Sequence, residues 1–197
     1  MGENVGEDRP WTVAVVCGAS GVGKSSVARP LAVRYGVPLG EVDDLVTALK
    51  ALVLPADMPA LHRWDTDPGI RSMSPDDIAE LHLQVADELV PGIRAVIADH
   101  LEFDAPVVLE GDYLVPELVS EFGDAVRGVL LHEPDTDQNA ANMLARESSP
   151  DGHAFRARVN AEIGRRLANR ARWAGVPVLA PRPWADGLDR VIDVLAR

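Results

Sequence analysis

Trp11-Thr12-Val13-Ala14-Val15-Val16-Cys17-Gly18-Ala19-Ser20-Gly21-Val22-Gly23-Lys24-Ser25-Ser26 is the stretch on which the fold turns. Residues 11–17 are a nearly unbroken apolar, β-branched run, as expected of a strand buried on both faces of a parallel sheet. The next eight residues, Gly18 to Ser25, fit G-x-x-x-x-G-K-[ST] at every fixed position. Glycines let backbone N–H groups approach phosphate oxygens that a Cβ would push away. The N-terminus of the following helix adds its own free N–H groups. Gly18, Ala19, Ser20, Gly21, Val22, Gly23, Lys24, Ser25 and Ser26 are therefore the expected nucleotide cradle. Lys24 reaches the β/γ-phosphates and the Ser25 hydroxyl is the expected Mg²⁺ ligand.

The rest of the composition sharpens that reading. The chain has 197 residues and a net charge of −12, and 17 of its 19 cations are arginines. Lysine survives only at Lys24 and Lys50. At position 24 the chemistry asks for it, because arginine's planar fork would not fit that closely wrapped backbone cradle. The acidic balance excludes a general nucleic-acid binder, which needs a basic face. Cys17 is the single cysteine, which excludes an internal disulfide and marks a small buried hydrophobe. No apolar run reaches the length of a membrane span, and Met1 to Pro10 lacks the apolar segment of a signal peptide. The expectation is a cytoplasmic protein with a flexible tail over residues 1–10 and one domain over 11–197.

Outward from the glycine-rich turn, helices and strands alternate. A helix is expected from Lys24 to Tyr35, a strand over Val37–Val42, and a helix from Asp44 to Leu52. The proline-rich stretch Leu54–Met73 reads as a long ordered loop. Ser74-Pro75-Asp76-Asp77 opens a helix with the apolar stripe Ile78, Leu81, Val85 and Leu89, which Pro91 breaks or kinks before it resumes to about His100. Strands are expected at Pro106–Leu109, Val126–His132 and Val176–Ala180. Helices are expected at Thr136–Arg146, through Phe155–Leu167 and at Trp184–Ala196. Such alternation means an α/β fold, a parallel sheet covered by helices on both faces.

Guanine-selecting GTPases carry [NT]-K-x-D and D-x-x-G elements, and neither occurs here. A small phosphotransferase remains. Together with the cradle, Val42-Asp43-Asp44-Leu45 and Val108-Leu109-Glu110-Gly111 make the chain resemble the P-loop small-molecule kinases. Within them it most resembles the chloramphenicol phosphotransferase-like and nucleoside-antibiotic (capuramycin-type) phosphotransferases. The resemblance implies a three-layer sandwich, five parallel strands in the order 2-3-1-4-5, and a site at their carboxyl ends. It implies ATP or GTP as phosphoryl donor, Mg²⁺, and a hydroxyl of a small molecule as acceptor. That acceptor is an antibiotic, or a nucleoside, sugar or shikimate-type metabolite. A nucleotide-binding regulatory ATPase is the reading outside this class.

The resemblance also assigns roles. Asp43 is the candidate general base, with Asp44 capping the next helix. Glu110 is a Walker-B-like acid for a metal-bound water or for substrate, and Asp112 and Tyr113 line the acceptor pocket. Residues 146–172 carry seven arginines against three acids, a local +4 that leaves −16 for the remainder. Arg165, Arg166, Arg170 and Arg172 suit a solvated helix face. Arg146, Arg156 and Arg158 flank the Ser148–Gly152 turn, where a lid around 146–158 would place an arginine on the transferring phosphoryl group; Arg146 and Arg156 are the catalytic candidates. Arg182 lies where similar kinases hold the nucleobase. Arg63 and Trp64, beside His62 in the long loop, are candidates for acceptor recognition. Asp99, His100, Glu102 and Asp104 read as a solvated helix end rather than a metal cluster.

Overall fold

The computed structural model describes residues 9–146 and 152–197, with the Arg146 side chain outside the described set. The expected tail (but for residues 9 and 10) and the turn tip at 147–151 therefore lie outside the described residues. The elements run β1 (Val13–Cys17), α1 (Lys24–Tyr35), β2 (Leu39–Glu41), α2 (Val42–Leu52), α3 (Pro59–Thr66) and α4 (Pro75–Glu102). They continue with β3 (Val107–Gly111), α5 (Glu117–Ser120), β4 (Val126–Leu131), α6 (Thr136–Arg146), α7 (His153–Trp173), β5 (Val178–Leu179) and α8 (Gly187–Leu195). All pairings are parallel, in the order β2-β3-β1-β4-β5, with helices on both faces. Every residue of β1 and β3 is buried, which is why these strands read as continuous apolar runs rather than alternating ones.

Register builds the site. Val16 pairs with Glu110 and Cys17 with Gly111, while Glu41 of β2 also pairs with Glu110. The loop after β1 thus emerges beside the acids that end β2 and β3. Cys17 meets the expectation of a small hydrophobe: its thiol lies 3.4 Å from the Val129 carbonyl, and burial pushes its pKa up to about 12.

Four local expectations are corrected. The 54–73 stretch is not a loop throughout; it holds α3, with Pro59 at its start, and a 3₁₀ turn over Pro68–Ser72. Proline at a first helical turn sacrifices no hydrogen bond, so prolines there mark helix starts. Pro91 does not interrupt α4, which runs 28 residues. Pro91 is on the solvent-exposed face, and Leu89, Ile93 and Ile97 stay fully buried. α2 starts at Val42, so Asp43 and Asp44 both sit in its first turn and neither caps it. The strand at 176–180 shortens to two residues.

The arginine-rich helix α7 is more than a solvated face. Arg166 bonds Asp76 of α4 at 2.7 Å and Glu162 at 2.8 Å, and Arg170 bonds Asp87 at 2.9 Å and Glu117 at 2.7 Å. Hydrogen bonds from Arg165, and then from Arg166, hold the Glu162 carboxyl down at about 2. A depressed carboxyl stabilises the fold fully above the ordinary glutamate range and loses that contribution as pH falls toward its native value. The melting temperature is therefore expected to fall between the ordinary glutamate range and about pH 2, and Glu162→Gln to lessen that fall. Identical acid limbs in thermal melts of the two proteins would refute the assignment. At the other end of α4, His100 Nδ1 bonds the Ala105 carbonyl at 2.7 Å, and no metal-binding cluster occurs among the described residues.

Candidate active site

The glycine-rich turn holds its shape through backbone geometry no other residue tolerates. Gly23 has φ +88°, and a Cβ there would stand 2.4 Å from the Trp184 ring. Gly18 has φ +146°, and its Cβ would meet the Leu131 carbonyl at 2.4 Å. The N–H groups of residues 19–23 donate to no described residue, and α1 begins at Lys24 without a side-chain cap. A nest of unpaired donors at a helix N-terminus is the physical form of an anion site. Ala19 and Val22 bury their side chains in the core, so they offer the ligand only backbone.

Lys24 is 6% exposed. Its Nζ donates to the Ala19 carbonyl at 3.0 Å and forms an ion pair with Asp112. Ser25 Oγ donates to Glu110 Oε1 at 2.6 Å. These groups line a 480 Å³ cavity together with Asp43, Arg29 and Glu41. The Asp43 carboxyl is pushed above the ordinary aspartate range, first by loss of hydration against the cleft wall and next by the charge of Asp112. Lys24 pulls the other way.

Trp184 and α6, through Asn142 and Ala145, also line this cavity. Trp184, 45% exposed, lies over Gly23, and Asn142 Nδ2 donates to the Gly21 carbonyl at 3.0 Å. The sequence reading missed both. Asn142 carries no local signal, and Trp184 reaches the cradle only through the turn after β5.

Ser20 and Asp112 also line a second cavity of 410 Å³. Its walls include Trp64, Tyr113 and Arg156, which the sequence singled out, and Arg71, His82 and Phe155, which it did not. His82 is 8% exposed; its Nε2 lies 3.0 Å from the Asp112 carbonyl and its ring stacks on Tyr113 at 4.4 Å. Burial holds the imidazole pKa below its usual value and pushes the Tyr113 phenol up to about 12. A histidine on the apolar stripe of α4 was the available signal.

Two expected residues are elsewhere. Arg63 bonds Asp67 at 3.0 Å, one turn on, and lines neither cavity. Arg182 is clamped by the buried Glu133 at 2.7 Å and lines neither cavity. The Arg146 side chain lies outside the described residues, as does most of the expected lid tip.

No family model matches the chain. A 2-phosphoglycerate kinase of Methanococcus vannielii is 29% identical over 128 residues, covering 60% of this chain and 41% of that protein. The chain thus spans about two fifths of the length of that curated relative. Among solved structures, a gluconokinase from Sinorhizobium meliloti 1021 superposes with a TM-score of 0.55 at 22% identity, over 96% of this chain and 94% of the other. A shikimate kinase from Acinetobacter baumannii in complex with shikimate gives 0.53 at 15%, over 94% and 91%. One from Bacteroides thetaiotaomicron gives 0.55 at 14%, over 94% and 99%. The fold is that of the P-loop kinases; none of these similarities extends to the chloramphenicol phosphotransferase-like subtype.

Proposed function

We propose that the protein transfers the γ-phosphoryl group of ATP or GTP to an alcohol hydroxyl of a small molecule. The observation that carries this reading is the junction of two cavities. A phosphate cradle and a candidate base share one space, and Asp112 links that space to a second pocket. A regulatory ATPase would instead have a closed surface beside Asp43.

The residues fit Mg²⁺. The Ser25 hydroxyl and Glu110 carboxylate pair at the cavity floor, and Mg²⁺ needs only one or two protein oxygens beside water and phosphate. When bound, the ion would neutralise phosphate charge. The cradle N–H groups and Lys24 hold the phosphates, which requires Lys24 to exchange Asp112 for a phosphoryl oxygen. Asp43 accepts the acceptor's proton as its oxygen bonds to the γ-phosphorus. The bond from that phosphorus to the β,γ-bridging oxygen breaks, and the nucleoside diphosphate leaves. Arg156 lines the acceptor-side cavity, and Trp184, over Gly23 in the cradle cavity, offers its indole to the nucleobase.

Gluconate, shikimate and 2-phosphoglycerate, the compounds named for the similar kinases, favour a metabolite as acceptor. No observation favours an antibiotic. ³¹P NMR of nucleotide, Mg²⁺ and a panel of hydroxylated acceptors is expected to show an acceptor-dependent phosphomonoester. Hydrolysis to inorganic phosphate alone would sink the reading. Nucleotide is also expected to change tryptophan emission, and Trp184→Phe to abolish most of that change.

A further inference from the structure

The second cavity has a composition that phosphate chemistry does not require. Ile78, Val159 and Ile163, all buried, form an apolar part of its lining. Trp64, Tyr113 and Phe155 contribute aromatic surface, and His82 backs Tyr113 with ring planes 15° apart. The stacked pair is a flat wall, because the His82 ring is held by burial and by its bond to the Asp112 carbonyl and the half-buried Tyr113 stacks on it. Aromatic faces of this kind prefer a planar ring to a chain of hydroxyls, which would surrender hydrogen bonds to water without replacement.

The polar groups of the cavity point to a second requirement. Asp112, its acid, is already paired with Lys24. Two guanidiniums, Arg71 and Arg156, also line the cavity, the second of them with a partner of its own. Arg71 makes no hydrogen bond or ion pair with a described residue, and the buried Asn160 amide makes no hydrogen bond with one either. Planar guanidinium donors with an amide beside them suit a carboxylate or a phosphate. The volume, 410 Å³, lies toward the small end of the usual range for small-molecule pockets, roughly 300–1,000 Å³.

We infer that the acceptor is an alcohol built on an aromatic or heteroaromatic ring that also carries an anionic group, the ring lying between Trp64 and the Tyr113–His82 stack and the anion at Arg71 and Arg156. The inference rests on the phosphotransferase reading. The hydroxyl oxygen bonds to the γ-phosphorus, the nucleoside diphosphate leaves, and the proton goes to Asp43, as above.

Steady-state transfer from MgATP tests it with defined probes. These are 4-(hydroxymethyl)benzoate, 4-(hydroxymethyl)phenyl phosphate, the neutral 1,4-benzenedimethanol, and gluconate. At least one anionic ring compound is expected to exceed both the diol and gluconate in kcat/KM by at least about tenfold, and which one leads tells carboxylate from phosphate. Arg71→Gln is expected to raise KM for that compound about tenfold while the diol's kcat/KM moves less. Since Arg71 is exposed and has no polar partner among the described residues to lose, the variant should melt with the parent protein. Preference for gluconate, or an anionic advantage untouched by Arg71→Gln, overturns the inference. Turnover confined to gluconate leaves the phosphotransferase reading standing; nucleotide binding with no turnover of any hydroxyl compound overturns both.

Discussion

Lys24→Met is expected to lower kcat/KM for phosphoryl transfer by about 10³, near 4 kcal/mol, the upper end of the loss when one preorganised donor to a developing anion is removed. The ammonium is buried at the head of the cradle, where low dielectric magnifies its effect on phosphate charge. Lys24→Arg should rescue little of this, because the planar guanidinium is broader than the point charge the cradle admits. The variant also strips Asp112 of its counter-charge and leaves it beside Glu110 and Asp43. Lys24→Met should therefore raise the Asp43 pKa further, since Lys24 is the charge that holds it down. The double variant Lys24→Met/Asp112→Asn separates the two effects: melting temperature recovers and transfer does not. Steady-state rates with saturating Mg-nucleotide, together with thermal melts, decide the matter. A single variant keeping more than a tenth of parent activity would remove Lys24 from the mechanism.

Asp43→Asn is expected to reduce kcat by roughly 10²–10⁴, the usual span for a positioned base. KM for the acceptor should change little, because an amide keeps the shape and one acceptor oxygen. The pH profile carries the stronger test. Asp43 must be ionised to take the proton, and its pKa is raised. The acid limb of kcat/KM should then lie at higher pH than an ordinary aspartate would give, with activity lost as pH falls through it. Asp112→Asn removes the second largest cause of that elevation and should move the limb to lower pH. If Asp43→Asn transfers at the parent rate, or the limb is unmoved in Asp112→Asn, the base lies elsewhere.

The turn leading into Lys24 and Ser25, with its three glycines, could be read from sequence because its backbone conformation is set by immediate neighbours. Glycine at 18, 21 and 23 and the helix start at Lys24 follow from local conformation alone. Asp43, Glu110 and Asp112 were legible as strand-end acids, but their convergence came from the β2-β3-β1 register. Arg63 and Arg182 show the opposite case. Each looked available in sequence, and each is held by an acid that folding brings to it, Asp67 one turn away and the buried Glu133 across the sheet edge.

By itself, then, the sequence determined the fold class, the phosphate cradle and the acidic strand ends, all consequences of short-range periodicity and of conformations only glycine permits. Tertiary structure alone decided the second cavity. Its walls come from residues 64, 71, 82, 113, 156 and 160, on α3, the 3₁₀ turn after it, α4, the loop after β3, and α7. No spacing rule links those positions. They meet because burying the apolar stripe of α4 against α7 brings the two helices together beside the carboxyl end of β3, and side-chain packing at that crossing decides which groups face the cavity.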